Sequence, residues 1–345
     1  MTSPQQLEIL DLRHFPAQKL RPLLEQQADV WNRRLHWNYK PSTELLLQYL
    51  DSRILPGFVA LERSRIVGFC FCVYEGHKAV IGDIYSSRYE TDPLAIVHTL
   101  TRHLLETLEA SPDIRRIETQ LLLFDSGILP PLFASALSQN LRFQVFPRLF
   151  LELPLGPRAV PLPPPPPFPP APFPPDIELC RWSPTFYNPT AELIQHAYLN
   201  HPDADINDQY RTLAGSQRFL HNIIRFPGCG TFDPDSSCVL RTRRDNTLVA
   251  VLLVSRVAPD AAHITQLCVA PTQRGRRLGA SLLRHVLRQL PQRAYSLVTL
   301  TVSENNPGAL ALYTAAGFRP RHRFDALVLD KPTTRPIPWP PFPRT

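Results

Sequence analysis

Between Pro154 and Pro175 the chain becomes dominated by proline, with an unbroken run from Pro163 to Pro167. Proline fixes φ and lacks the backbone N–H, so such a stretch can join neither a helix interior nor a sheet ladder. It favours an extended polyproline II path and behaves as a semi-rigid spacer. A chain of 345 residues is also long for one core. The expected organisation is therefore a first domain over residues 1–154, a Pro-rich linker over 155–176, a second domain over 177–331, and a Pro-rich tail over 332–345. A ligand for a proline-binding groove is the alternative role for the linker.

Both flanking segments alternate strand and helix patterns. In the first, residues 57–62 and 65–74 read as a hairpin turning at Arg63-Ser64, and 79–86 as a further strand. Leu94, Val97, Leu100, Leu104 and Leu108 recur at three or four residues and predict a helix over 92–110. A strand over 114–124, a short helix over 130–139 and a strand over 142–153 follow. In the second, strands are expected at 177–182, 238–242, 248–257, 263–269, 295–302 and 323–329, with helices at 188–199, 206–224, 279–290 and 307–316. The common order β-β-β-α-β-α-β points to an internal duplication.

Composition narrows the function classes. A hydrophobic share of 43% with 19% charged residues fits a globular protein. The net charge of +7 permits an anionic partner, but no basic stripe or nucleic-acid module accompanies it, so no nucleic-acid partner is expected. No apolar run reaches the length of a membrane span, and the start Met1-Thr2-Ser3-Pro4-Gln5 lacks signal-peptide character; a cytoplasmic, membrane-free protein is the expectation. The six cysteines lack zinc-knuckle spacing and are expected as buried, reduced thiols. No metal-binding loop pattern is recognised.

The chemistry concentrates in one stretch. Gln266-Leu267-Cys268-Val269-Ala270-Pro271 ends a strand, Gln273-Arg274-Gly275-Arg276-Arg277-Leu278-Gly279 forms a Gly/Arg loop, and a helix follows. Glycine lets backbone approach a phosphate closely. The free N–H groups and dipole of a helix start favour an anion, and arginines add charge-assisted contacts. About thirty residues on comes Asn306-Pro307-Gly308-Ala309-Leu310-Ala311-Leu312-Tyr313-Thr314-Ala315-Ala316-Gly317-Phe318.

These two motifs, in this order, resemble the GNAT family of N-acetyltransferases over residues 262–330. The first is similar to its acyl-CoA loop, the second to its Asn…Tyr…Gly-Phe motif. The resemblance implies an α/β fold of two tandem GNAT-like domains, each a central mixed β-sheet flanked by helices. It further implies acetyl-CoA as co-substrate, with Leu267, Cys268 and Val269 along the pantetheine arm and acyl carbonyl. Arg274, Gly275, Arg276, Arg277, Leu278 and Gly279 would surround the pyrophosphate, Asn306 would contact the cofactor, and Tyr313 would protonate the leaving thiolate. Arg277 stands where the family motif has its first glycine, which matters if the backbone there needs positive φ.

The general base is open. His263 has a suitable intrinsic pKa, and Glu304 is a second candidate. Asp203, Asp205 and Asp208, between two expected helices, are candidates to receive a cationic amine, or simply cap a solvated turn. The corresponding first-half stretch, residues 79–93, has the strand and helix but no Gly-rich loop, which makes it a degenerate, non-catalytic copy. The function expected is acetyl transfer from acetyl-CoA to an amine, a small molecule in preference to a protein N-terminus, by direct attack in a ternary complex. A non-catalytic acyl-CoA sensor or interaction module is the alternative.

Overall fold

The computed structural model describes residues 7–138, 140–156 and 173–332. The Pro-rich linker and tail lie mostly outside these residues. Thirteen strands and nine α-helices are present among the described residues.

The first half contains β1 (Glu8–Asp11), α1 (Ala17–Leu35), α2 (Lys40–Asp51), β2 (Gly57–Glu62), β3 (Arg65–Glu75), β4 (Lys78–Ser86), α3 (Pro93–Ala110), β5 (Arg116–Gln120), α4 (Leu129–Ala136) and β6 (Gln144–Pro154). The second contains β7 (Ile177–Arg181), α5 (Tyr187–Tyr198), α6 (Asp203–Ile206), α7 (Leu213–Arg225), β8 (Thr231–Phe232), β9 (Cys238–Thr242), β10 (Leu248–Ala258), β11 (Ala261–Val269), α8 (Leu278–Gln289), β12 (Leu297–Ser303), α9 (Pro307–Ala315) and β13 (Arg319–Asp330).

From Gly57 onward the expected strand–helix order holds within a few residues. Upstream of it, where no element is expected above, β1, α1 and α2 form. The buried positions of α1 (Leu20, Leu23, Leu24, Gln27, Ala28, Trp31 and Leu35) do have helical spacing. Pro22 and the buried polar Gln27 interrupt that signal. The single helix expected over 206–224 is instead α6, a 3₁₀ turn over Asp208–Arg211, and α7. Asn207 accepts from Gln209 N, and Thr212 accepts from Gly215 N to start α7 afresh. Gly215 permits this kink, because a Cβ there would sit 2.4 Å from the Gln209 carbonyl oxygen.

The duplication is visible in strand register. In β4, Asp83 faces Phe71 and Ile81 faces Cys72, leaving Gly82 as a bulge. In β11, Gln266 faces Leu253 and Ile264 faces Val254, leaving Thr265 as a bulge. Each of these strands pairs in parallel with its next neighbour for four residues: Lys78–Ile81 with Arg116–Thr119, and Ala261–Ile264 with Leu297–Leu300. The bulge therefore falls one residue past the last parallel pair in both halves.

The halves are not separate sheets. The strand order is β1-β2-β3-β4-β5-β13-β6-β12-β11-β10-β9-β7, with β8 on β10. The last strand of each half thus sits in the other's sheet: β13 pairs with β5, and β6 with β12. The two exchanged strands pair with each other at the centre. Trp31, Leu35 and Trp37 of the first half pack there with Val257, Ala261 and Phe324 of the second. Fully burying one large apolar side chain contributes about 1.5–3 kcal/mol, so this cluster ties the halves together.

Among the described residues, no helix is long and apolar enough to cross a membrane. All six cysteines are free, and Cys70, Cys72, Cys238 and Cys268 are buried as expected. Cys180 is only half-buried and Cys229 is exposed, so burial does not hold for every thiol.

Candidate active site

β11 and β12 separate after the Ile264–Leu300 pair. β12 continues to Ser303 against β6, while β11 continues to Val269 against β10. The β12-facing edge of β11 beyond Ile264, which includes Leu267, Cys268 and Val269, has no strand partner among the described residues. An unpaired strand edge offers N–H and C=O groups to an extended ligand. The Cys268 thiol is buried, and that burial pushes its pKa up to about 12, which marks it as a packing group and not a nucleophile.

Val269 leads into a short 3₁₀ turn, Pro271–Gln273, and then the Gly/Arg loop. Gly275 has φ +80° with open space where a Cβ would stand, so glycine serves the backbone sign there. Arg277 has φ +58° and ψ +17°, a left-handed conformation unfavourable for a residue with a Cβ. The motif position does need positive φ, and this chain meets the need with arginine. α8 then begins without a side-chain cap. Its first intrahelical bond runs from Ser281 N to Arg277 O, so the N–H groups of Leu278, Gly279 and Ala280 lack intrahelical acceptors. Gly279 sits 3.4 Å (as an ideal Cβ) from Val269 Cγ2, fitting the helix start against the end of β11.

The equivalent helix start in the first half is closed. Asp92 accepts a hydrogen bond from Ala95 N at 3.0 Å, placing a carboxylate where α8 is free. That charge opposes a pyrophosphate.

The arginines of the loop are already engaged. Arg274 donates to the Ala197 carbonyl at the end of α5, 2.7 Å. Arg276 donates to Asp176 at 2.7 Å and to Gln273. The Arg276–Asp176 pair is solvent-exposed, and such pairs contribute about 0–1 kcal/mol, so it can exchange for another anion.

Tyr313 projects from α9 into the second-half core and meets Phe318 edge-on, ring centroids 5.7 Å apart. Burial raises its phenol pKa, and Asp203 and Cys268 raise it further. Asn306 caps α9 by accepting from Ala309 N at 3.0 Å, and its Nδ2 lies 3.3 Å from His201 Nε2.

The candidate base His263 is engaged with other partners. Its Nδ1 is 2.8 Å from Thr299 Oγ1, and its ring packs between Trp37 and Phe150 at the junction of the halves. Burial lowers its pKa to about 3, too low to hold a proton taken from an ammonium at neutral pH. Glu304 is occupied by an ion pair with Arg323 at 2.6 Å.

The three aspartates separate into two roles. Asp205 pairs with Arg211 on the surface. Asp208 pairs with Lys78 of the first half at 2.6 Å. Asp203 instead meets the end of β12 and the tyrosines around it. It accepts from Ser303 Oγ at the end of β12 and is close enough to raise the pKa of the Tyr198, Tyr210 and Tyr313 phenols, each held high first by burial. Tyr198 and Tyr210 stack with centroids 4.1 Å apart.

His201 and Tyr210 fall in the stretch around the three aspartates, whereas Tyr198, Ser303 and Arg148 are not singled out by the sequence. Arg148 lies on β6, directly opposite Ser303 of β12, and only the strand exchange brings a first-half residue there. The stacked tyrosines stand twelve positions apart, a spacing without a recognisable motif.

Comparison with known proteins agrees with this geometry. Residues 197–318 match the family described as acetyltransferase (GNAT). Over 62 residues the chain is 31% identical to an L-2,4-diaminobutyric acid acetyltransferase of Nocardia farcinica, covering 18% of this chain and 32% of that protein. Over 73 residues it is 32% identical to the [ribosomal protein bS18]-alanine N-acetyltransferase of Escherichia coli, covering 21% and 49%. The chain thus spans half or less of these curated relatives. Among solved structures, a tandem GNAT protein from the clavulanic acid biosynthesis pathway aligns over 96% of this chain and 100% of its own, with a TM-score of 0.58 and 17% identity, a likeness of fold. Residues 197–318 thus match the GNAT acetyltransferase family, and the chain resembles a tandem GNAT protein in fold, with the equivalent helix start of its first half capped by Asp92.

Proposed function

We propose that this protein is an N-acetyltransferase that moves an acetyl group from acetyl-CoA to a small amine in a ternary complex. The observation that carries the reading is the continuity between the unpaired β11 edge at Leu267–Val269 and the uncapped start of α8. Together they offer ladder partners for a pantetheine arm and free N–H groups for a pyrophosphate. Gly275 and Arg277 supply the backbone turn, and the Arg276 guanidinium can exchange Asp176 for phosphate.

In this reading Asp203 takes a proton from the bound ammonium. The amine nitrogen then bonds to the acetyl carbon as the carbon–sulfur bond breaks. Backbone N–H groups of the β11 edge stabilise the developing oxyanion, Tyr313 gives its proton to the thiolate, and the second proton lost by the nitrogen as the amide forms restores the Tyr313 phenol. A phenol with a raised pKa remains protonated until a strongly basic leaving group forms. The 203–211 loop is tied to the first half through Lys78 and Arg116, and a second half beside the acceptor side favours a small molecule over a folded protein's N-terminus.

The test is calorimetric titration of acetyl-CoA into the intact protein, with Gly279→Asp as the variant that sets a carboxylate on the cradle. Binding is expected for the wild type and loss of binding for the variant. No binding by the intact protein would sink the reading.

A further inference from the structure

Arg148 is an unpaired cation at the end of β6 that faces β12. Its Nε is buried with no hydrogen-bond partner, and no carboxylate pairs with it among the described residues. A buried donor left unmade costs free energy, and a guanidinium matches the planar, two-oxygen geometry of a carboxylate. Arg148 belongs to β6, where it stands opposite Ser303 on one side and Phe324 on the other. Directly opposed residues project to the same face, so Arg148 emerges beside the Ser303 hydroxyl that donates to Asp203. It is also close enough to favour the ionised form of the Tyr210 phenol.

The cleft therefore has two poles. Asp203, with the Tyr198, Tyr210 and Tyr313 hydroxyls around it, is anionic and suits an ammonium. Arg148 is cationic and suits a carboxylate. Arg148 and Ser303, whose hydroxyl donates to Asp203, are opposed with Cβ atoms roughly 5 Å apart, so both poles lie at the same end of β12.

We infer that the acceptor is an amino-carboxylic acid, held by its carboxylate on Arg148 and presented by its ammonium to Asp203. The inference rests on the acetyltransferase reading above. It also makes the first half a contributor to substrate recognition, through the strand it lends to the other half's sheet.

The experiment uses the full chain and two measurements. L-alanine, β-alanine and L-lysine, each beside its carboxamide, are tested for acetyl-CoA-dependent thiol release and, separately, for binding by calorimetry. At least one free acid should bind and react about tenfold better than its amide, the scale of one lost charged hydrogen bond. Arg148→Met should remove that preference, and Arg148→Lys should restore part of it. Acetyl-CoA binding by both variants reports whether they are folded, and its failure in the wild type refutes the acetyltransferase reading instead. Equal handling of acids and amides by the wild type overturns the inference. So does an Arg148→Met variant that weakens both equally, or the absence of binding by every acid.

Discussion

Lys78 of the first half grips Asp208 of the second, with Nζ 2.6 Å from Oδ1, at the point where the loop from Asp203 to Arg211 crosses between them. The same ammonium lies 3.1 Å from Glu118 and 3.3 Å from Glu75. Arg116 adds bonds to Glu118 and to the Asp205 carbonyl. Burial alone would lower the Lys78 pKa, but Glu118, Asp208 and Glu75 outweigh it and raise it. The first half therefore fixes the loop that carries Asp203 and Tyr210.

Replacing Lys78 by Met leaves Glu75, Glu118 and Asp208 one cation short, with Arg116 still bonded to Glu118. Removal of one partner from a buried ionic cluster costs about 3–5 kcal/mol. Urea unfolding should show a loss on that scale. In the acetyl-transfer assay the acceptor KM should rise more than the KM for acetyl-CoA, because the loop and not the α8 cradle is released. Unchanged stability together with an unchanged acceptor KM would refute the clamp.

Tyr313 separates chemistry from packing. Phenylalanine keeps the ring against Phe318 and the core while removing the proton. General acid catalysis contributes about 10²–10⁴-fold, so Tyr313→Phe should lower kcat by about a hundredfold or more, with acetyl-CoA binding nearly intact. A variant with wild-type kcat would make Tyr313 a core aromatic and nothing else.

The contrast between Tyr313 and Arg148 shows which parts of the site the sequence discloses. Tyr313, Asn306 and the Gly275–Gly279 loop lie on contiguous motifs, because a tight turn, a cap and a helix start are local devices built from neighbouring residues. The same locality made the strand–helix order readable. Arg148 meets Ser303 across 155 positions only because β6 leaves its own half, and no local periodicity encodes a strand exchange. His263 shows the same limit of local reading. Its place on β11 is legible, but Trp37 and Phe150, which enclose it, come from the other half.

Arg277 tests the backbone requirement of the loop. At φ +58° a Cβ costs about 1–2 kcal/mol relative to glycine. Comparing Arg277→Gly with Arg277→Ala removes the guanidinium from both and isolates that term. The glycine variant should be the more stable by about 1 kcal/mol in urea titration. An alanine variant of equal stability would show that the strain is not present.

His263 provides the pH prediction. Its folded pKa of about 3 lies below the ordinary value of 6.5, and burial is the cause. The unfolded chain therefore binds the proton first as pH falls. The stability attached to the neutral, buried ring is complete above pH 6.5 and is lost progressively toward about pH 3. The gap between the two values sets a ceiling of about 5 kcal/mol. His263→Gln retains a polar group within reach of Thr299 but cannot be charged, so its unfolding free energy should fall less steeply than the wild type's between pH 6.5 and 4. At pH 7.5, where the wild-type ring is neutral, the variant should keep acetyl-transfer activity, because His263 lies at the junction of the halves and not beside the reacting groups. Loss of transfer at pH 7.5 in a stably folded variant would return His263 to the chemistry, whereas an unchanged acid slope would mean that its burial does not control the acid limit of the fold.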